Sequence, residues 1–389
     1  MRQISIFDWN KTPFKIDKPV RLIELFAGIG SQAKALEKLG ADFEHYRVCE
    51  FDKYAIKSYN AIHGTKFATS DVTKIAAEDL GIVDTDKYCY LLTYSFPCQD
   101  LSLAGKQKLM AKGSNTRSSL LWEVERLLNE CNELPQILLM ENVTQVHGIK
   151  NKEHFDKWLE FLESKGYSNY WQDLNAKNFG IPQNRNRTFM VSVLGDYTYE
   201  FPKEFPLEIM LKDMLEDSVD KKFYLSNKMK DYILDIHNVQ HGTKWEGRVD
   251  NDVLNPNVAH TVSVRGAGGS QRACVSNFIV DGLDGEIKVK EIKEQPILIG
   301  GMQKNQSIKT DGISTTLTSS MGMGGGYVPM VSTKLSIRKL TPKECFRLMG
   351  FDDSDFEKAS QVNSNAQLYK QAGNSIVVDV LYHIFKQMF

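Results

Sequence analysis

The 389-residue sequence has no apolar run approaching the length of a membrane span, and its opening residues, MRQISIFDWNKTPF, contain no apolar signal core. Net charge is almost absent as well: 48 Lys and Arg against 49 Asp and Glu leave −1. No global basic field therefore draws in nucleic acid, and any such site must be built from local patches. The six cysteines, Cys49, Cys89, Cys98, Cys131, Cys274 and Cys345, form no CxxC pair and no Cys/His cluster at metal spacing. Neither a disulfide framework nor a metal is expected. The expected home is a reducing cytoplasm.

What is present is an ordinary globular balance, 42% hydrophobic and 25% charged, at a length that suits two or three domains. Residues 1–19 are a lead segment without a readable pattern. From Val20 to about Gly195, short apolar runs (RLIELFAG, YRVCEFD, YCYLLTYS, QILLMENV, NRTFMVSVLG) alternate with helix-like stretches at 31–39, 53–63, 118–129 and 153–164. This alternation predicts an α/β layer structure with a mostly parallel sheet. Near residue 205 the texture changes to Gly, Ser, Thr and Asn. Two pieces there, AHTVSVRGAGGSQRACV (259–275) and STTLTSSMGMGGGYVPMV (314–331), read either as a weak internal duplication or as two unrelated glycine-rich loops. Helical texture returns from Arg338.

LIELFAGIG runs from a strand into a Gly-x-Gly turn, and SQAKALEKLG then begins a helix. Such glycines allow a tight turn and close approach of a ligand. Glu50 follows Gly30 by 20 residues and closes the strand YRVCE, a spacing that suits a carboxylate bonding ribose hydroxyls. Ser70, Asp71 and Val72 are expected at the next strand end. A structural turn explains the glycines equally well. The third glycine of a pyrophosphate site is replaced by Ala33, so a nucleoside cofactor without pyrophosphate fits better than a dinucleotide.

At the end of the run YCYLLTYS comes FPCQD. Pro97 fixes the backbone there and removes a donor. Cys98 is either a small core hydrophobe or an exposed thiol. The segment after it carries Lys106, Lys108, Lys112 and Arg117 and no acid beyond Asp100, as a basic loop for backbone phosphates would. The next strand, QILLMENV, ends in Glu141 and Asn142. A carboxylate straight after four apolar residues is expected to be desolvated and prone to hold a proton. The strand after that begins GIPQNRNRTFMVSV, with Arg185 and Arg187 on one face by the period of two. Three neighbouring strand ends thus present a thiol, a carboxylic acid and an arginine pair.

FAGIGS, PCQDLS, ENV, QNRNR, RKLTPKECFRLMGF and QAGNS, in this order, closely resemble the cytosine-C5 DNA methyltransferases. The resemblance runs from about residue 20 to the end, apart from much of 205–295, and PCQDLSLAGK with GSNTRSSLLWEVER is closest to bacterial and phage members. It implies a Rossmann-like S-adenosylmethionine-dependent methyltransferase domain over 20–205 and 336–389. A smaller, loop-rich target-recognition domain would occupy 206–335.

By the same resemblance, Cys98 would add as a thiolate to carbon 6 of cytosine, so that carbon 5 can attack a methyl sulfonium. Glu141 would bond N3 and the exocyclic amine, Arg185 the cytosine O2, and Arg187 would hold Glu141 or the thiol region. S-adenosylmethionine, with no metal, would lie against Phe26, Ala27, Gly28, Gly30, Glu50, Phe51, Asp71, Val72, Pro97, Leu120, Asn374 and Ser375. The last pair would sit beside the first strand because the last helix folds back onto the sheet. The partner would be double-stranded DNA with its target base flipped out. Gln99, Ser102, Lys106, Arg265, Arg272, Gln303 and Thr316 would contact that DNA; solvated loop arginines are the plainer reading of the middle pair. Also implied are a monomer in a bacterial or phage-infected cell and a cognate restriction endonuclease in the same system. A tRNA cytosine methyltransferase on the same scaffold is the rival. The long 206–335 stretch favours duplex DNA.

Overall fold

Five of the apolar runs become strands of one six-stranded sheet in the computed structural model, which describes residues 12–97, 117–224, 297–299, 308–309, 311–319, 321, 328–333 and 336–389. The strands are Val20–Leu25 (β1), Phe43–Cys49 (β2), Cys89–Tyr94 (β3), Ile137–Asn142 (β4), Tyr167–Asn175 (β5) and Asn186–Leu194 (β6). They lie in the order β2-β1-β3-β4-β6-β5. The first four are parallel, and β6 is antiparallel to both of its neighbours. β3 and β4 are buried at every position, as strands covered on both faces must be.

The sequence does not announce β5. Its run YSNYWQDLN is largely polar because it is an edge strand with one wet face. Conversely, Ser70, Asp71 and Val72 end no strand. They lie in a loop whose Ser70 N–H donates to the Glu50 carbonyl at 3.0 Å, so their neighbourhood to β2 comes from a single backbone bond.

Helices Ser31–Leu39 (α1), Lys53–His63 (α2), Leu121–Glu130 (α3) and Lys152–Ser164 (α4) fill the expected connections. α1 stops at Gly40, left-handed with φ 70°, and α2 starts at Asp52, whose carboxylate accepts the Tyr54 N–H at 2.9 Å. Four more helices, Pro342–Arg347 (α5), Asp353–Ser360 (α6), Asn365–Asn374 (α7) and Val378–Phe385 (α8), close the chain. One core joins Leu22, Leu91, Leu139 and Val191 to α1 and α8; a second, across the sheet, joins Ile23, Leu92, Met140 and Met190 to α3 and α4. The alternation of side chains along each strand feeds both. Each fully buried Leu or Ile contributes about 1.5–3 kcal/mol, so these two layers dominate the stability.

Outside the sheet, Thr12–Pro13 of the lead segment pairs in parallel with Tyr197–Thr198, and the Ile16 N–H reaches the Met388 carbonyl at 2.7 Å. A small antiparallel sheet is formed by Ile297–Ile299, Ile308–Lys309, Met330–Thr333 and Ser336–Lys339. Its last strand is fastened to α5 by a buried pair: Arg338 donates to both Glu344 oxygens at 2.7 and 2.8 Å. Glu344 also accepts the Thr341 and Glu216 N–H groups. The 259–275 piece lies outside the described residues. Among the described residues, no helix is long and apolar enough to cross a membrane.

The strand order has one functional consequence. From β1 the chain goes to β2 on one side and then to β3 on the other, so the loops after β1 and β3 part from each other. In open α/β sheets a ligand crevice forms at such a reversal, beyond the carboxyl ends of the strands.

Candidate active site

The loop after β1 turns sharply. Phe26, Gly28 and Gly30 all have positive φ (59°, 58° and 83°). The left-handed form costs a residue with a Cβ about 1–2 kcal/mol, so Phe26 is held there by its surroundings. Its N–H and that of Ala27 donate to the Cys49 carbonyl at 2.8 and 3.3 Å. The two glycines serve different ends. A Cβ on Gly28 would meet nothing within 4 Å, whereas one on Gly30 would strike His63 and come within 2.7 Å of Tyr59. Gly28 leaves room for a ligand; Gly30 lets α2 pack.

Glu50 follows β2 and turns its carboxylate back to this loop, accepting the Gly28 N–H at 2.9 Å and the Asp52 N–H at 2.7 Å. Burial raises its pKa against these bonds. The next residue, Phe51, leaves 77% of its surface to solvent, unusual for a phenylalanine at a sheet edge. Asp71 is partly exposed. The Thr73 hydroxyl and N–H bond it at 2.8 and 3.0 Å and lower its pKa, while Val72 beside it is buried. Leu120 closes a short turn before α3 and packs against the second core. Asn374 is exposed and Ser375 buried; the Ile376 N–H reaches the Ser31 hydroxyl at 3.2 Å, which brings this segment to the start of α1.

On the other side of the reversal, β3 leads into Ser95, Phe96 and Pro97. Two side chains hold this exit. Asn142 donates to the Phe96 carbonyl at 3.0 Å, and the Ser118 hydroxyl to that of Pro97 at 3.0 Å. Neither role was read from the sequence; for Asn142 the usable signal was its place directly after Glu141 at a strand end. Cys98 lies outside the described residues, as do Gln99, Ser102, Lys106, Arg265, Arg272 and Gln303. Of the described cysteines, Cys89 and Cys131 have thiols pushed up by burial to about 12 and about 11, and Cys49 and Cys345 are also raised. Such thiols are packing groups rather than nucleophiles.

Glu141 ends β4 and is only 8% exposed. Burial raises its pKa, while Arg187 and then Arg185 pull it down. The Arg187 Nε stands 3.2 Å from Glu141 Oε1. Because β6 is antiparallel, its beginning lies at the edge where β4 ends, and this delivers Arg187 to Glu141.

Arg185 departs from expectation. It precedes β6 instead of sharing a strand face with Arg187, and it is buried. Its guanidinium donates to the carbonyls of Leu317 at 2.8 Å, Ser375 at 2.7 Å and Gly373 at 3.2 Å. That is a brace among distant segments. The Thr316 hydroxyl donates to the Asn184 carbonyl at 2.6 Å, the Leu317 N–H to Gln183 Oε1 at 3.0 Å, and Gln183 Nε2 to the Leu348 carbonyl at 2.7 Å. Gln183, fully buried, is the joint that sequence reading missed inside QNRNR.

Comparison with known proteins follows this geometry. The family model described as C-5 cytosine-specific DNA methylase matches residues 20–389. The type II methyltransferase M2.ScrFI of Lactococcus lactis subsp. cremoris is 31% identical, covering 95% of this chain and 99% of its own. The orphan methyltransferase M.SssI of Spiroplasma monobiae is 30% identical, covering 97% and 98%. Among solved structures, the Entamoeba histolytica methyltransferase EhMeth superposes with TM-score 0.63 at 18% identity, over 96% of this chain and 98% of its own. The S. pombe Dnmt2 methyltransferase gives 0.59 at 20%, over 95% and 97%. At those identities the structures establish the fold.

Proposed function

The chain belongs to the C-5 cytosine-specific DNA methylase family and is a DNA (cytosine-5-)-methyltransferase, and from that premise we propose its chemistry: methyl transfer to carbon 5 of a flipped-out cytosine in a specific duplex sequence, through a covalent Cys98 adduct. The observation that carries this reading is Glu141. It is a carboxyl whose pKa is raised by burial, paired with Arg187, and placed on the strand next to the one that runs into Pro97 and Cys98.

S-adenosylmethionine is the methyl donor the family implies, and it supplies an electrophilic methyl group. The residues fit it. Gly28 has open space where a Cβ would lie, Phe51 offers an exposed ring for adenine, and Glu50 offers a carboxylate fixed by two backbone amides for ribose hydroxyls. Asp71 and Val72 stand beside Glu50 for the adenine edge. Phe26, Ala27, Pro97, Leu120, Asn374 and Ser375 complete the proposed lining.

The Cys98 sulfur bonds carbon 6 of the cytosine, and Glu141 donates to N3 as negative charge builds on the ring. Arg187 fixes the carboxyl. After carbon 5 is methylated, its proton leaves to a base, and the carbon–sulfur bond breaks to release Cys98. Arg185 acts as a positioning residue that ties the Thr316 and Ser375 segments to the head of β6. Gln99, Ser102, Lys106, Arg265, Arg272, Gln303 and Thr316 are the proposed DNA contacts. A monomer working in a bacterial or phage-infected cytoplasm, beside a cognate restriction endonuclease where one exists, belongs to the same proposal.

The test is methyl transfer from labelled S-adenosylmethionine to duplex DNA and to tRNA, side by side, with wild type and Cys98→Ser. Label in 5-methylcytosine of DNA and none with Cys98→Ser is expected. Label confined to tRNA, or a Cys98→Ser rate near wild type, overturns it.

A further inference from the structure

Behind the glycine turn, away from the crevice, three side chains from three elements converge. Glu37 comes from α1, His45 from β2 and His63 from the last position of α2. One ligand atom from each lies within 4.8 Å of the others. His63 Nδ1 is 2.8 Å and His45 Nε2 3.7 Å from the same oxygen, Glu37 Oε1. Tetrahedral ligands at metal bonds of 2.0–2.1 Å stand about 3.3 Å apart, between these two distances.

The far sides of both rings are also occupied. His63 Nε2 lies 3.0 Å from the Ile29 carbonyl. A carbonyl can only accept, so this nitrogen carries the hydrogen, and Nδ1 is left to face Glu37. His45 Nδ1 lies 3.0 Å from the Tyr59 hydroxyl, which itself bonds Glu24 Oε2 at 2.5 Å. With the Tyr59 hydroxyl donating to Glu24, its oxygen can accept from His45 Nδ1–H, and Nε2 then presents its lone pair to Glu37. Imidazoles that ligate metals have this arrangement: one nitrogen to the ion, the other donating its N–H to a carbonyl or another oxygen acceptor. The His63 side chain is fully buried, whereas His45 and Glu37 are 20% and 34% exposed, which leaves a route in from solvent and room for a water ligand. The nearest competing cation, Lys34 Nζ, is 3.9 Å from the other Glu37 oxygen and is drawn off by Asp352 and Asp355 at 2.9 and 2.8 Å.

We propose that Glu37, His45 and His63 form a structural site for a divalent cation of the zinc class, bracing the outer side of the cofactor turn through the His63–Ile29 bond. Two imidazoles, one carboxylate and a water suit Zn²⁺ or Co²⁺ better than Mg²⁺ or Ca²⁺. Sequence spacing hides the set because no two ligands share an element.

The experiment uses untagged full-length protein freed of metal by chelation, titrated with Co²⁺ and then Zn²⁺. One saturable equivalent with a tetrahedral nitrogen and oxygen spectrum is expected, together with a rise in Tm on adding Zn²⁺. Glu37→Gln and His45→Gln, each checked for unchanged metal-free unfolding, should weaken binding roughly tenfold or more. Absence of saturable binding overturns the proposal. So does undiminished binding in both variants, or a thiolate charge-transfer band, which would place the ion on cysteine.

Discussion

Replacing Arg187 by alanine isolates what holds Glu141. At 3.2 Å and an effective dielectric of about 20, the pair attracts by about 5 kcal/mol. Removing one partner of such a buried pair costs about 3–5 kcal/mol when the survivor must stay charged. Glu141 has an alternative, which is to hold a proton. Its pKa is already raised by burial, and losing Arg187 raises it further, although Arg185 still lowers it. The folded state then binds the proton more tightly than the unfolded chain, whose carboxyl titrates near about 4.3. For a raised carboxyl, stability is highest at low pH and falls as pH climbs toward the folded pKa.

The gap between Arg187→Ala and wild type should therefore be small below the unfolded carboxyl value of about 4.3 and widen as pH rises, by up to about 1.4 kcal/mol per pH unit, before levelling at about 3–5 kcal/mol. Urea unfolding at a series of pH values measures it. Adding Glu141→Gln to the same chain removes the titrating group, so the pH-dependent part should vanish. A gap that ignores pH, or that survives in the double variant, would refute the coupling.

Phe51→Ala should change stability by less than about 0.5 kcal/mol, since the ring is exposed, yet weaken S-adenosylmethionine binding by about 1–3 kcal/mol in calorimetry. Unchanged affinity would move the adenine elsewhere. Gly28→Ala should cost about 1–2 kcal/mol from its left-handed backbone alone, and Gly30→Ala clearly more, because its Cβ meets Tyr59 and His63; equal losses in thermal unfolding would contradict the two roles. Arg338→Met should cost about 3–5 kcal/mol by stranding buried Glu344, and adding Glu344→Leu should recover only part of it in denaturant melts, since the Thr341 and Glu216 amides then lose their acceptor.

The parallel centre of the fold was legible because β1, β3 and β4 are buried at nearly every position and so are mostly apolar. β5 was not, since a wet edge strand such as YSNYWQDLN carries too little hydrophobic signal. Asp71 misled for the opposite reason: its carboxylate is held by Thr73 in a loop, which no strand pattern can encode. Glu141 and the arginines could be brought to neighbouring strand ends, and the resemblance then left Arg187 to hold either Glu141 or the thiol region; the structure shows the Glu141 pair. The Arg185 brace was not legible, because its acceptors at Leu317, Gly373 and Ser375 lie far away in sequence and are backbone atoms without a residue signature. The Glu37, His45 and His63 cluster was hidden in the same way, spread over a helix face, a strand and a helix end.

The Arg185 brace also sets an order in time. A ribosome that has made the first 200 residues has already made every strand of the central sheet. The carbonyls that receive the guanidinium come much later, at Leu317, Gly373 and Ser375. A nascent or prematurely ended chain thus has the sheet without the acceptors that seat the head of β6. The head of β6 therefore takes its seat only after residues made long after the sheet have arrived.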